Sequence, residues 1–189
     1  MKFAPTLRLE TKNLRIRPFV SEDLIDFYEY ASTPGLGEMA GWAHHQSINK
    51  TKIILSMFIN AGNVLALVDK KSDKVIGSLG LHAAQFNDDQ EFANKKIAEI
   101  GYVLAKGYWG RGLMPEAVNA LLEYLFMGCD YDVIACAHFT QNDQSRRVIE
   151  KVGFTYHSDD TYFAKELDKN FPERKYIINK ETFISKHKK

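Results

Sequence analysis

The chain has 189 residues, 45% of them hydrophobic, and its 25 lysines and arginines nearly balance its 24 aspartates and glutamates. A net charge of +1 argues against nucleic acid or an anionic membrane surface as a partner bound by bulk charge. No signal-peptide core or membrane-length apolar run appears, and the length suits one domain, residues 1–189. We therefore expect a cytoplasmic, single-domain globular protein.

The first half of the chain predicts a strand pair, two helices and a meander. LRLETKNLRIRPF alternates as two strands do, and SEDLIDFYEYAS begins a helix with Ser21 as N-cap. After a glycine-rich segment, residues 33–46, a second helix is predicted from about Ser47 to Asn60, ended by Gly62. VLALVD and VIGSLGL then predict two antiparallel strands.

The second half predicts a strand, helix, strand unit. IAEIGYVL precedes a glycine-containing stretch, a helix with an apolar stripe from Val118 to Leu125, and the strand VIACAHF. Such a crossover makes the two strands parallel. A further helix, NDQSRRVIEKV, has Asn142 as N-cap and Gly153 at its left-handed end. The predicted fold class is α+β, with a mostly antiparallel sheet, a central parallel pair and helices on both faces.

The cysteines and histidines show no metal-ligand spacing. Cys129 and Cys136 are too far apart for a CxxC pair, and both are expected to be free thiols in packing positions. His44 and His45 are adjacent, but no cysteine or carboxylate stands at ligand spacing near them. No metal site is predicted.

The stretch GYWGRGLMPEAV, residues 107–118, places three glycines between a strand and a helix. Glycine allows a sharp turn and brings N–H groups close to a ligand with no Cβ in the way. The start of a helix favours an anion, Pro115 fits the first helical position, and Arg111 adds a charge that pairs with phosphate. A tight turn that binds nothing fits the same residues about equally well.

Two familiar phosphate motifs do not match this loop. GRGLM lacks the lysine and the hydroxyl residue that close a P-loop, which disfavours a nucleoside triphosphate. A dinucleotide fingerprint starting at Gly110 would need a third glycine where Pro115 stands, and Asp130 and Asp132 precede the next strand instead of ending it. A nicotinamide-dependent oxidoreductase is therefore a less favoured alternative.

Three blocks in order, IAEIGYVL, YWGRGLMPEAV and NDQSRRVIEKVGF, together resemble the GNAT superfamily of acetyl-CoA-dependent N-acetyltransferases. With TKNLRIRPFVSEDL near the start, the resemblance is closest to the branch that acetylates ribosomal-protein N-termini, and it spans about Asn13 to Tyr176. Gly107 departs from the general pattern Q/R-x-x-G-x-G/A, where glutamine or arginine is usual. The resemblance implies a GNAT-like sheet whose parallel strands splay apart to hold coenzyme A.

The resemblance also implies the coenzyme A contacts. Main-chain N–H groups of residues 111–114 would hold the pyrophosphate, and residues 103–104 would pair with the pantetheine arm. Asn142 would touch pantetheine and Ser145 would lie near the sulfur, although Asn142 also suits a plain N-cap and Ser145 a helix crossing. The implied cofactor-binding residues are Val103, Leu104, Tyr108, Gly110, Arg111, Gly112, Leu113, Met114, Asn142 and Ser145.

Direct attack of an amine on a thioester needs a proton acceptor, donors for the oxyanion and an acid for the departing thiolate. A backbone N–H near Leu104 is the candidate oxyanion donor, and Ser145 is the candidate acid. Glu99, inside an apolar strand where burial would raise its pKa, is the first candidate base. Glu166, in the strand-like TYFAKEL, and His82 are the other candidates.

The acceptor is predicted to be a primary amine, on a protein or peptide N-terminus or on a small molecule. Its pocket is expected from residues 33–46 and 159–175, whose aromatics and acids suit a cationic amine. A non-catalytic acyl-CoA-binding or regulatory protein on the same fold is the alternative function. The predicted cosubstrate is acetyl-CoA, and the chain is expected to be a monomer or homodimer with no nucleic acid or membrane partner.

Overall fold

The structure, a computed structural model, describes residues 2–84, 86 and 89–187. The strands are β1 (Leu9–Glu10), β2 (Leu14–Pro18), β3 (Val64–Asp69), β4 (Val75–His82), β5 (Ile97–Leu104), β6 (Val133–Phe139), β7 (Thr155–Ala164) and β8 (Lys169–Asn179). The α-helices are α1 (Leu24–Ala31), α2 (Ile48–Ala61), α3 (Leu113–Glu123), α4 (Asp143–Val152) and α5 (Lys180–His187). Within these described ranges, no helix is both long and apolar enough to cross a membrane.

The strands form one mixed sheet in the order β1-β2-β3-β4-β5-β6-β8-β7. β5 and β6 run parallel, and the other neighbouring strands run antiparallel. The helix between β5 and β6 is the crossover that a parallel pair requires. The predicted α+β class and the central parallel pair are confirmed.

The parallel pair opens part-way along its length. β5 and β6 are paired from Ile97 opposite Val133 to Ile100 opposite Cys136. Beyond that point residues 101–104 pair only with β4, and residues 137–139 pair only with β8. The two strands therefore leave a strand gap, bounded by residues 101–104 and 137–139, as the family resemblance implied.

Helices cover both faces of the sheet. α3 and α4 pack over one hydrophobic core, and α1 and α2 pack over a second core on the other side. Side chains alternate along β5, so Ile100 and Leu104 belong to the α3–α4 face, whereas Val103 packs against the α1–α2 face. By the same alternation Tyr102 shares the α3–α4 face and Glu99 shares the α1–α2 face.

The predicted N-cap at Ser21 is wrong. A 3-10 turn, Ser21–Asp23, precedes α1, and the Asp23 carboxylate accepts a hydrogen bond from the Val20 N–H at 2.9 Å. The same carboxylate forms two 2.7 Å bonds with the Arg17 guanidinium and is only 5% exposed. A largely buried bidentate ion pair therefore fixes the start of this helix.

The predicted caps of α2 and α4 are confirmed. Ser47 caps α2 by accepting from the Lys50 N–H, and Gly62 ends that helix with a φ of +65°. Asn142 caps α4, which ends at Gly153 with a φ of +104°. Both glycines take the left-handed conformation that glycine adopts at least cost. Cys129 and Cys136 are free thiols, as predicted.

Candidate active site

The glycine-rich loop between β5 and α3 has a backbone that favours glycine. Gly110 and Gly112 have φ angles of +74° and +76°, in the left-handed region. A Cβ added at either position would meet no protein atom within 4 Å. The loop is therefore bare on its open side, where a ligand can reach the main chain.

α3 begins at Leu113, so Pro115 is its third residue. The predicted first helical position of Pro115 is wrong. The Glu116 N–H donates to the Gly112 carbonyl at 3.2 Å, which starts the helical ladder. The N–H groups of Leu113 and Met114 precede that bond, and the helix does not use them. Because the helix dipole also favours negative charge here, the loop offers an anion site.

A cavity of about 640 Å³ extends from this loop along the strand gap. Tyr102 and Ser145 line it on the α3–α4 face, and Glu99 and Phe139 line it on the α1–α2 face. Because β5 and β6 do not pair here, the cavity passes through the sheet. The predicted site residues that line it are Glu99, Val103, Leu104, Tyr108, Gly110, Gly112, Leu113, Met114, Asn142 and Ser145.

Two predicted site residues, Arg111 and Glu166, are absent from the side chains that line the cavity. The Arg111 guanidinium lies 5.0 Å from the centre of the Tyr108 ring, a cation–π contact. A pyrophosphate contact by the Arg111 main chain stays a prediction. The Trp109 indole N–H donates to the Leu104 carbonyl at 2.6 Å and ties the loop to the end of β5.

Asn142 fixes the first turn of α4 beside the gap. Its side-chain oxygen accepts from the Ser145 N–H, and its amide donates to the Met39 carbonyl, both at 3.1 Å. The N-cap role is confirmed, and contact with pantetheine stays a prediction. The bond to Met39 also joins α4 to the glycine-rich segment 33–46.

The Ser145 hydroxyl lies 2.9 Å from the hydroxyl of Tyr102, a residue that sequence reasoning missed. Tyr102 follows Ile100 on the α3–α4 face, just beyond the last paired residues of β5 and β6. The period-two alternation of IAEIGYVL was the signal that places this ring against α4. Burial raises the pKa of Tyr102 well above its ordinary value, so the phenol stays protonated.

Glu99 lies opposite His82 of β4, on the α1–α2 side of the cavity. The pKa of Glu99 is raised to about 7, mainly by burial; the charges of Glu173 and Asp160 also raise it, and the charge of Lys175 lowers it. A carboxyl with this pKa is about half ionised at neutral pH. Glu99 therefore has the protonation behaviour of a general base near its operating pH.

Glu99→Gln should stabilise the fold at pH 8.5 and have little effect at pH 4. The folded-state pKa is raised, so wild type loses stability as pH rises from about 4.5, the unfolded value, to about 7. At about 1.4 kcal/mol per pKa unit, the rise from 4.5 to about 7 corresponds to a gain of about 3 to 4 kcal/mol above pH 7. Urea unfolding at both pH values measures it, and equal effects at the two values would contradict the buried carboxyl.

A charged cluster on β7 and β8 lies near Glu99, within the segment 159–175 from which we expect the acceptor pocket, although its individual residues were not singled out from the sequence. The Lys175 ammonium is 2.6 Å from an Asp160 oxygen and 3.9 Å from a Glu173 oxygen. The Lys175 and Glu173 side chains are 8% and 10% exposed, and burial raises the pKa of Glu173. The signal was FPERKYIIN, in which three consecutive charged residues interrupt an otherwise apolar strand. Three carboxyl groups against one lysine favour a cation on this side of the cavity.

Glu166 lies in a 3-10 turn, Lys165–Leu167, and the predicted strand there is wrong. Its carboxylate is 3.0 Å from the Lys50 ammonium and accepts from the Ala43 N–H at 3.3 Å. The bond to Lys50 lowers the pKa of Glu166, which makes it a weaker base than Glu99. The role of Glu166 as base is untested, and its position does not favour it.

His82, the third candidate base, lines the same cavity. Its ring lies over Gly80 and Gly101, and a Cβ on Gly80 would come within 2.5 Å of the His82 Nε2. Burial lowers the pKa of His82, so the imidazole is neutral at pH 7. His82 is the strand partner of Glu99 and lines the cavity beside it, so a neutral imidazole stands next to the candidate base.

Comparison with known proteins supports the fold and the family. A protein of Bacillus licheniformis named "uncharacterized N-acetyltransferase p20" is 26% identical over 151 residues, 77% of this chain and 81% of that one. The structure of a GNAT-family acetyltransferase from Bacillus anthracis aligns with a TM-score of 0.78 at 22% identity, over 93% of this chain and 99% of that one.

The solved structures with the same fold include that of a ribosomal-protein acetyltransferase. The structure of ribosomal-protein-S5-alanine acetyltransferase from Vibrio fischeri aligns with a TM-score of 0.71 at 18% identity, over 94% of this chain and 98% of that one. The family model described as the acetyltransferase (GNAT) domain matches residues 13–155. Because that match covers most of the chain and the fold agrees, the protein belongs to the GNAT family of acetyltransferases.

Proposed function

We propose that the chain moves an acetyl group from acetyl-CoA to a primary amine by direct attack. The observation that carries this proposal is the cavity through the strand gap, which brings the glycine loop, Ser145 and Glu99 to one space. The donor would enter from the α3–α4 face and the amine from the α1–α2 face. Thioester and amine then meet in the gap.

The glycine loop and the gap fit coenzyme A. The open positions beside Gly110 and Gly112 leave room for a pyrophosphate against main-chain N–H groups. The Val103 carbonyl points at Gly77 of β4. Because the N–H and C=O groups of successive strand residues point to opposite sides, those of Leu104 point towards the gap. The Leu104 N–H is therefore the better-placed partner for pantetheine or for the oxyanion, and coenzyme A supplies the thioester when it is bound.

Glu99 and Ser145 would act on different parts of the reaction, Glu99 on the amine and Ser145 on the departing sulfur. Glu99, with a pKa of about 7, accepts the proton that the amine loses on attack. Ser145 donates a hydrogen bond to the sulfur as the C–S bond breaks. Cys136 also lines the cavity, but burial raises the pKa of its thiol, so it stays protonated and is a poor nucleophile. These properties favour direct transfer over a covalent acetyl-enzyme.

The acceptor side suits an amine that arrives as a cation. Glu99 and Glu173 line the cavity with Lys175, whose charge Asp160 offsets, and the aromatic ring of Phe139 lines it too. A protein or peptide N-terminus and a small amine both satisfy these features. The Vibrio fischeri protein is named ribosomal-protein-S5-alanine acetyltransferase, which supports a protein or peptide as the first acceptor class to test.

Incubation with acetyl-CoA and a panel of peptides and small amines tests this function. We expect thiol release that depends on one class of amine, and mass spectrometry of that amine should show one added acetyl group. Tight binding of acetyl-CoA without thiol release above the enzyme-free rate, across the whole panel and a cell-extract peptide pool, would instead support the non-catalytic alternative.

Ser145→Ala should lower kcat by roughly 10- to 100-fold with a smaller change in KM. The lost hydrogen bond is strongest in the transition state, and the loss is limited because coenzyme A thiolate is already a good leaving group. Steady-state kinetics with the true acceptor measures it. Ser56→Ala on the exposed side of α2, where the hydroxyl donates to the Lys52 carbonyl, is the control. Normal turnover of Ser145→Ala would leave Ser145 as a packing residue.

A further inference from the structure

Tyr102 stands where the two parallel strands have just separated. The last paired residues are Ile100 and Cys136, and Tyr102 is two residues beyond on the same face of β5. Its ring crosses from β5 to the first turn of α4, where its hydroxyl lies 2.9 Å from the Ser145 Oγ and 3.1 Å from the Ser145 carbonyl oxygen. The Tyr102 hydroxyl therefore contacts the side chain that faces the gap.

The Tyr102 hydroxyl has the Cys136 thiol as a further hydrogen-bond partner, and its proton can be donated to Ser145 in two arrangements. Each hydroxyl has one proton to donate. If Tyr102 donates to the Ser145 carbonyl, the Ser145 hydroxyl donates back to the Tyr102 oxygen and presents no proton to the cavity. If Tyr102 donates to the Ser145 Oγ, the proton of Ser145 is free to point into the cavity. A negative charge developing in the gap stabilises the second arrangement.

The backbone of Ser145 is already fixed, so the two hydrogen-bond arrangements differ only in the direction of its hydroxyl group. The Ser145 N–H is held by Asn142, and Asn142 is held by the Met39 carbonyl. The remaining freedom is rotation of the hydroxyl group about its own bonds, and Tyr102 is its partner at 2.9 Å. Donation from Tyr102 also polarises the Ser145 O–H bond and strengthens it as a donor.

We propose that Tyr102 is a positioning residue for acetyl transfer, whose hydroxyl directs the Ser145 hydrogen bond towards the departing sulfur. This inference rests on the proposed function. An acceptor that arrives as an ammonium ion first loses one proton to bulk water. The neutral amine then attacks, the N–C bond forms, the C–S bond breaks with its electron pair on sulfur, and the second proton of the nitrogen goes to Glu99. Tyr102 and Ser145 both keep their protons, which agrees with a phenol that burial holds protonated.

A double-mutant cycle tests this proposal. Tyr102→Phe keeps the ring and should lower kcat by about 5- to 10-fold, with KM for acetyl-CoA within about twofold. Because Tyr102 acts through Ser145, the same change in the Ser145→Ala background should cost less than twofold. In a Ser145→Thr background, which retains a hydroxyl, the full loss should return. Tyr131→Phe, a buried tyrosine outside the cavity lining, is the control and should turn over normally.

The outcomes separate this proposal from the proposed function. If wild type transfers no acetyl group, the function itself fails. If wild type is active and Tyr102→Phe costs the same factor with and without Ser145, Tyr102 acts on the substrate directly or only through folding, and the inference is overturned. Normal kcat in Tyr102→Phe also overturns it. Thermal unfolding of each variant with coenzyme A checks that binding is retained.

Discussion

Glu99→Gln is expected to lower kcat by about 100-fold or more and to leave coenzyme A binding nearly intact. Glutamine keeps the size of the side chain but does not accept the proton that the amine loses. Wild-type kcat/KM should fall on the acidic side with an apparent pKa of about 7, because Glu99 must be ionised to act. The variant should lack that limb. Rate profiles from pH 5.5 to 9 measure both effects.

Glu166→Gln is the matched control for this result. Glu166 is paired with Lys50 and is absent from the cavity lining, so its variant should retain near-normal kcat. A large loss of kcat in Glu166→Gln and none in Glu99→Gln would make Glu166, and not Glu99, the general base. Unchanged activity in both variants would contradict a carboxylate base and would indicate an amine that reaches the site already neutral.

Gly112→Val should abolish the stabilisation of the fold by coenzyme A. At 100 times its dissociation constant a ligand stabilises the native state by about 2.7 kcal/mol, or very roughly 5 to 10 °C for a chain of this length. The side chain of valine would occupy the open space beside Gly112 and force the loop away from its φ of +76°. Differential scanning fluorimetry with and without coenzyme A measures the loss.

Gly62→Val separates backbone strain from a lost binding site. Gly62 also has a positive φ, +65°, but it ends α2 and is absent from the cavity lining. This variant should lose stability by a similar mechanism and still respond fully to coenzyme A. A full coenzyme A response in Gly112→Val, or a wild-type response to NADH and none to coenzyme A, would contradict the loop assignment.

The strands around the site were predictable because their signals are local. IAEIGYVL and VIACAHF are β5 and β6 residue for residue, and the helical stripe between them made their parallel pairing necessary. The end of that pairing after Ile100 was not visible in either strand taken alone. It was expected only from the resemblance of three sequence blocks to a known family.

The missed features depend on contacts between residues distant in the sequence. Lys175 meets Asp160 because β7 and β8 pair, and both approach Glu99 because β8 lies next to β6. Glu166 reads as part of a strand, but the turn between β7 and β8 places it beside Lys50 of α2. The alternation along a strand predicts which face of the sheet a side chain lies on. Which charged groups meet on that face depends on tertiary packing.

A crystal structure of the protein with coenzyme A tests the central claim most directly, that the strand gap is the site of acetyl transfer. We predict the pyrophosphate against the main-chain N–H groups of residues 111–114, the pantetheine arm along residues 101–104, and the sulfur between Ser145 and Glu99. Coenzyme A bound outside the gap, or with its sulfur directed away from Ser145 and Glu99, would contradict the account.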